Sequence, residues 1–259
     1  MLRTPTEHAA ADNAWDRDPA TPGPAVSPLL AARLAESILR PLSASDSDGA
    51  ATGFGGLDPR TRAAMCALAG HPGFNGPLNR AAAQLSGLGD IVFDAHDLLR
   101  VGRSQASDCA LFLATAAPAL LEQAALHLGA IVLHRQLVGL ALKRDREALQ
   151  RLLGEDTYHV ATREAPVLYS AFGGLDDGSF TVTPAAIGDG RGMALAIAAV
   201  GRRALHGFVA ATEPTLTPLL AMRNGRQSPG AGAPMTDRHL AQIAKLLHRR
   251  YGPWSPITG

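Results

Sequence analysis

Lysine is nearly missing from this chain of 259 residues: of 24 basic residues only Lys143 and Lys245 are lysine. Together with abundant alanine, this reads as a GC-rich coding bias and carries no chemistry. Cysteine is scarcer in effect. Cys66 and Cys109 alone cannot build a disulfide framework or a four-ligand zinc site, and each reads as a small core residue. Excess charge is absent too. The 24 basic and 23 acidic residues leave a net charge of +1, without the electrostatic footprint of a nucleic-acid binder. Aromatics make up 5%. No run reaches the ~18 apolar residues of a membrane span. The longest apolar stretch, 109–142, is interrupted by Pro118, Glu122, Gln123, His127, His134 and Arg135. The first residues, MLRTPTEHAAADNAW, contain no apolar h-region, so no secretory signal is expected. These absences lead to the expectation of a soluble, cytoplasmic protein.

What is present is alanine and leucine at helical spacing, in a chain 46% apolar. At ~150 residues per domain the length allows one or two domains. Residues 1–26, polar and proline-bearing, are expected to form a disordered tail. Residues 27–56 are expected to give one helix, started by Ser27 and Pro28 and stopped by Pro41, followed by the linker SASDSDGAATGFGG. Residues 57–252 are expected to form one helical domain. The fold class is therefore all-α, with about eight to ten helices.

Within that domain, Asp58–Pro59 caps a helix ending at Gly70, and 71–77 is a turn before a short helix with Leu78, Ala82 and Leu85 inward. Ile91–Phe93 fits a helix or a strand. Ser104 caps a helix, and Pro118 starts or kinks the next. Leu121, Ala125, Leu128, Val132, Leu137 and Leu140 continue one apolar stripe. Residues 143–147 (KRDRE) read as solvated, Gly154 as a C-cap, and 155–165 as a short helix stopped by Pro166. Ser179–Thr183 is the best strand candidate. A long helix at 191–211, a short one at 214–222, a linker at 224–234 and a final helix capped by Thr236–Asp237 complete the order.

Chemistry-bearing candidates are few, and each has a plainer structural reading. Gly188, Gly190 and Gly192 precede a helix and could cradle phosphate, but the dinucleotide spacing and the preceding strand are missing, so a helix entry is expected. His96–Asp97, with His71 earlier and Asp145 or Asp156 later, has the residue types of an HD-type metal phosphohydrolase. A polar helix face explains the same residues. His127 and His134, seven apart, read as core histidines on one helix face. No G-x-S-x-G elbow occurs. Arg202–Arg203 and Arg249–Arg250–Tyr251, with Trp254, combine residue types enriched at protein interfaces. They are the candidate partner-binding residues. No residue is assigned a catalytic, cofactor or metal role.

Four passages, taken in order, carry a resemblance: ALLEQAALHLGAIVLHRQLVGLAL (119–142), ALQRLLGEDTYHVATREAP (148–166), GRGMALAIAAVGRRALHGFVAATEPTLTPLLAMR (190–223) and HLAQIAKLLHRR (239–250). Their succession is a leucine-rich stretch with a central Leu-Gly, a leucine helix before a proline break, a small-residue helix entering Glu-Pro, and a basic closing helix. This resembles the SctK family of type III secretion accessory proteins (YscK and PscK types, more distantly OrgA and MxiK). The resemblance implies a mainly helical, non-enzymatic, cofactor-free cytosolic adaptor of the sorting platform. It would lie beneath the inner membrane and join an SctD-type ring protein to an SctQ-type pod protein. The rival from the residues alone remains the metal phosphohydrolase of His71, His96 and Asp97.

Overall fold

The computed structural model describes residues 28–42, 54, 57–69, 71–85, 88, 104–140, 142–223 and 234–251. The tail at 1–26, most of the 43–56 linker, Ile91–Phe93, His96, Asp97, the linker 224–233 and Trp254 lie outside them. Among the described residues there is no strand, and the protein is all-α. The chain order is α1 (Pro28–Leu39), α2 (Pro59–Ala69), α3 (Asn75–Leu85), α4 (Gln105–Thr115), α5 (Pro118–Val132), α6 (His134–Val138) and α7 (Lys143–Leu153). It continues through α8 (Glu155–His159), α9 (Ala165–Leu168), α10 (Pro184–Gly188), α11 (Gly190–Thr212), α12 (Thr217–Arg223) and α13 (Asp237–Tyr251). That is more helices than expected, because several single-turn pieces replace what reads as longer helices or loops.

The helix starts follow capping chemistry. Asp58 Oδ1 accepts from the Arg60 and Thr61 amides, Ser104 Oγ from Ser107, Thr183 Oγ1 from Ala186 and Thr236 Oγ1 from His239. Gly154 closes α7 at φ +78°, a conformation that costs glycine nothing.

Five local expectations are corrected. The 71–77 turn is shorter than expected: α3 already begins at Asn75. The apolar stripe of 118–140 breaks at Leu133, so His127 and His134 stand on different helices. Residues 143–147 form the first turns of α7 and are exposed as expected, except Asp145, which is buried. Pro166 does not stop its helix. A π-helical turn at Val160–Glu164 comes immediately before it, and α9 continues past the proline. A proline lacks its N–H and crowds the carbonyl four residues back; the wider turn relieves both. Ser179–Thr183 is not a strand. Its polar backbone is held by one side chain instead: Gln136 Oε1 accepts from the Val182 amide (2.8 Å), while Gln136 Nε2 donates to the Phe180 carbonyl (3.3 Å) and to Asp176 (2.8 Å). An amide side chain offers one donor and one acceptor side, as a neighbouring strand would.

The centre of the core is the crossing of α5 and α11, the most extensive packing in the protein. Gly129 and Gly201 face each other there, and the backbones touch: a Cβ on Gly129 would lie 1.9 Å from the Ile197 carbonyl oxygen. Leu128, Ile131, Ile197, Leu205 and Phe208 fill the surroundings and are buried. By length and composition α11 could cross a membrane, but 56% of its apolar window is buried inside the fold. That is the condition of a core helix. α1 belongs to the same core through buried Leu34. Arg223 of α12 fastens α1 by donating to Ser37 Oγ and to the Ala116 carbonyl where α4 ends.

Candidate functional site

The sequence-derived interface residues divide between two places in the fold. Arg202 is corrected from a surface residue to a buried one. Its guanidinium faces α5, where Nη1 reaches both oxygens of Glu122 at 2.6 and 2.7 Å, and only 5% of the residue is exposed. Glu122 is half exposed, so the pair straddles the boundary of the core. Its neighbour Arg203 points the other way, onto the 176–182 loop. It contacts Asp177 at 3.2 Å and Ser179 Oγ. The Ser179 hydrogen bonds and then Arg203 hold the Asp177 carboxyl below its usual range. Both arginines therefore tie α11 to its own fold.

Arg249, Arg250 and Tyr251 close α13, and they converge on α5, α8 and the π-turn. Arg250 makes a two-pronged contact with Asp156 (2.7 and 2.8 Å) and reaches Glu164 at 3.4 Å. Arg249 lies 3.2 Å from the other Glu164 oxygen. The Tyr251 hydroxyl is 3.0 Å from His127 Nδ1, and His127 Nε2 is 3.5 Å from Asp156. Phe112 of α4 packs beside the Tyr251 ring at 6.0 Å between centroids. His159 approaches Glu164 at 3.8 Å. The amphipathic pattern of α13 dictates this arrangement. Ile243, Ala244, Leu246 and Leu247 turn to the core, which leaves the C-terminal basic residues at the rim, where they also complement the helix dipole.

The chemistry of this cluster is that of a latch. Burial pushes His127 toward its neutral form, against the opposing pull of Asp156. Burial also raises the Tyr251 phenol, so it stays protonated. A neutral imidazole between a phenol and a carboxylate could in principle relay a proton. Here both ends are occupied, by a phenol packed against Phe112 and by a carboxylate gripped by Arg250. The arrangement holds α13 down. At the other end of α13, His239 Nε2 meets the Ala171 carbonyl at 3.2 Å. Midway, the Cys109 thiol contacts the Ala244 carbonyl at 3.6 Å. Burial, with Asp108 adding, pushes that thiol up to about 12, so it has no nucleophilic form near neutrality.

The remaining candidates have local duties. His71 Nδ1 accepts from the Gly73 amide at 3.3 Å, and the ring meets Phe74 edge-on, so it caps the turn before α3. His134 Nδ1 is 2.8 Å from the Ile131 carbonyl, inside the core. At the glycine-rich entry to α11, Asp189 Oδ1 accepts from Gly192 N–H. A carboxylate therefore occupies the place a phosphate would need. Among the described residues no group of three or more His, Cys, Asp or Glu could hold a metal. The π-turn carboxylate Glu164 and the latch residues His127 and Asp156 were missed as a cluster by sequence reading. The available signal was His127 interrupting the apolar stripe of α5; Asp156 and Glu164 lie on polar turns that nothing in the sequence sets apart.

No family model, curated protein or solved structure matches this chain.

Proposed function

We propose that the protein is a cytosolic adaptor of a bacterial type III secretion sorting platform. It joins an SctD-type inner-membrane ring protein to an SctQ-type pod protein by protein–protein contacts and carries no catalytic residues of its own. The observation that supports this reading is where the four passages of the SctK resemblance fall. They correspond to α5–α6, α7–α9, α11–α12 and α13, and these elements pack on one another around α5 and α11. The resemblance thus follows one contiguous body and not scattered surface stretches. A body whose helices are tied by internal ion pairs suits an adaptor that must hold two partners at a fixed spacing, because little ordering entropy is lost on docking.

The test is binding of the purified full chain to the cytoplasmic domain of an SctD-type protein and to an SctQ-type protein. Saturable binding to each is expected, with a ternary complex when both are present. Failure with both overturns the proposal. A gene neighbourhood holding an export ATPase and ring proteins is the matching genomic expectation.

A further inference from the structure

Nine large apolar side chains among the described residues are more than a third exposed, and four of them sit on one corner. Val138 ends α6, Leu142 follows it, and Val167 and Leu168 end α9; their exposures are 52%, 49%, 77% and 41%. α6 packs directly against α9 and the π-turn, so these side chains belong to one neighbourhood. Scattered apolar side chains on a surface are ordinary, but clustered ones mark a contact.

The charge around this corner is mixed, but its carboxylates are paired and two arginines are left over. Arg135 of α6 and Arg163 of the π-turn are exposed, and neither has a carboxylate partner among the described residues. Lys143 and Arg144 follow Leu142 and are 85% and 80% exposed. The nearby carboxylates are already engaged: Glu164 by Arg249 and Arg250, Asp145 by Arg144, and Glu147 by Lys143, so Arg135 and Arg163 are the cations left without a carboxylate. The Arg135 guanidinium lies over Gly173, and guanidinium groups without a carboxylate beside apolar side chains favour carboxylates, which they grip in two-pronged fashion.

We infer that this corner docks an acidic amphipathic segment of a partner protein, its apolar residues on Val138, Leu142, Val167 and Leu168 and its carboxylates on Arg135 and Arg163. An anionic membrane offers the same two chemistries. However, a helix lying in a membrane surface presents a continuous apolar face over many turns. Here Val138 ends a five-residue helix, Leu142 precedes α7, and Val167 and Leu168 end the helical run 155–168, so the apolar residues come from separate segment ends, which suits a bound segment better than a lipid plane. The inference rests on this surface alone and holds whatever platform the protein serves.

The test places a photo-crosslinking phenylalanine at Val167 of the full chain in its native cells, with Leu195 on α11, an exposed apolar residue outside this corner, as the comparison. The expected product is an adduct at 167 and none at 195, which peptide mapping assigns to an acidic segment with helical apolar spacing. Arg135→Glu with Arg163→Glu, and separately Val138→Asp, should lower the adduct yield about tenfold. All are exposed positions, so far-ultraviolet circular dichroism should be unchanged. No adduct, an adduct to lipid, an adduct to a second copy of this chain, a basic mapped segment, or a yield indifferent to the charge reversal would each overturn the inference. Binding of the purified chain to phosphatidylserine vesicles that is lost with the same variants would assign the corner to a membrane instead.

Discussion

A methyl group added at Gly129 would stand 1.9 Å from the Ile197 carbonyl oxygen, and one added at Gly201 would stand 1.8 Å from the Ala125 carbonyl oxygen. Side-chain Cβ atoms essentially never approach closer than 3.0 Å, so α5 and α11 must part by roughly 1 Å to admit either. A gap of 0.5–1 Å forfeits about a quarter to a half of each dispersion contact across it. The seam is lined by buried Leu128, Val132, Ile197, Val200 and Leu205, so the loss sums to about 3 kcal/mol, the upper part of the overpacking range. Helix propensity works in the opposite direction, favouring alanine over glycine by about 1 kcal/mol. The net expectation for Gly129→Ala or Gly201→Ala is a destabilisation of about 2 kcal/mol. For a protein of this size that lowers Tm by about 4–8 °C. The two changes share one seam. Once the first methyl has opened it, the second costs less, so the double variant should fall short of the summed effects by about 1 kcal/mol. Urea unfolding of the two single variants and the double variant measures all three numbers. Gly76→Ala, where the added Cβ meets nothing within 4 Å, should cost nothing measurable. If Gly129→Ala is as stable as the parent or more so, propensity alone governs the site and the close crossing is wrong.

Two further predictions concern charge. Glu122→Ala removes both oxygens that face the buried Arg202 guanidinium. It should destabilise by about 2 kcal/mol, less than breaking a fully buried pair costs, because Glu122 is half exposed. Arg202→Met, which leaves no charge stranded, should cost less; the reverse order in urea midpoints would contradict the assignment. Acid should loosen the α13 latch. His127 and His206 are both pushed below 6.5 by burial, so in the acid range the unfolded chain binds more protons. Stability is then full above about pH 6.5 and falls as pH drops through the lowered values. His127→Gln should flatten part of that slope and raise amide exchange in α13 less on acidification than in the parent; an identical slope would remove His127 from the latch.

The helices were legible because their signals are local. Asp58, Ser104 and Thr236 cap within three residues, and Pro118 and Gly154 act on their own turns, so composition and spacing suffice. The break at Leu133 and the continuation of the helix through Pro166 were not legible, because tertiary contact decides them. An apolar stripe continues in sequence whether or not the chain changes direction. A proline stops a helix only if no wider turn relieves it. Gln136 supplying both hydrogen bonds of the Phe180–Val182 segment is likewise invisible along the chain, since the two partners lie more than 40 residues apart.

The same distinction explains why interface residue types misled at Arg202 and informed elsewhere. Arginine and tyrosine are enriched both where proteins meet and where a protein closes on itself, because a planar donor fork or a phenol with an apolar ring suits any half-wet boundary. Sequence alone shows the residue type, not which boundary it serves. In this fold Arg202, Arg203 and Arg250 already grip Glu122, Asp177 and Asp156, and a partner would have to displace those carboxylates to use them. Arg135 and Arg163 need no displacement, and they stand beside apolar side chains that the fold leaves uncovered. A basic residue is available to a partner in proportion to what the fold has not already paired it with. By that measure the α6–α9 corner, which no motif distinguishes, outranks the arginine pairs that sequence reading selects first.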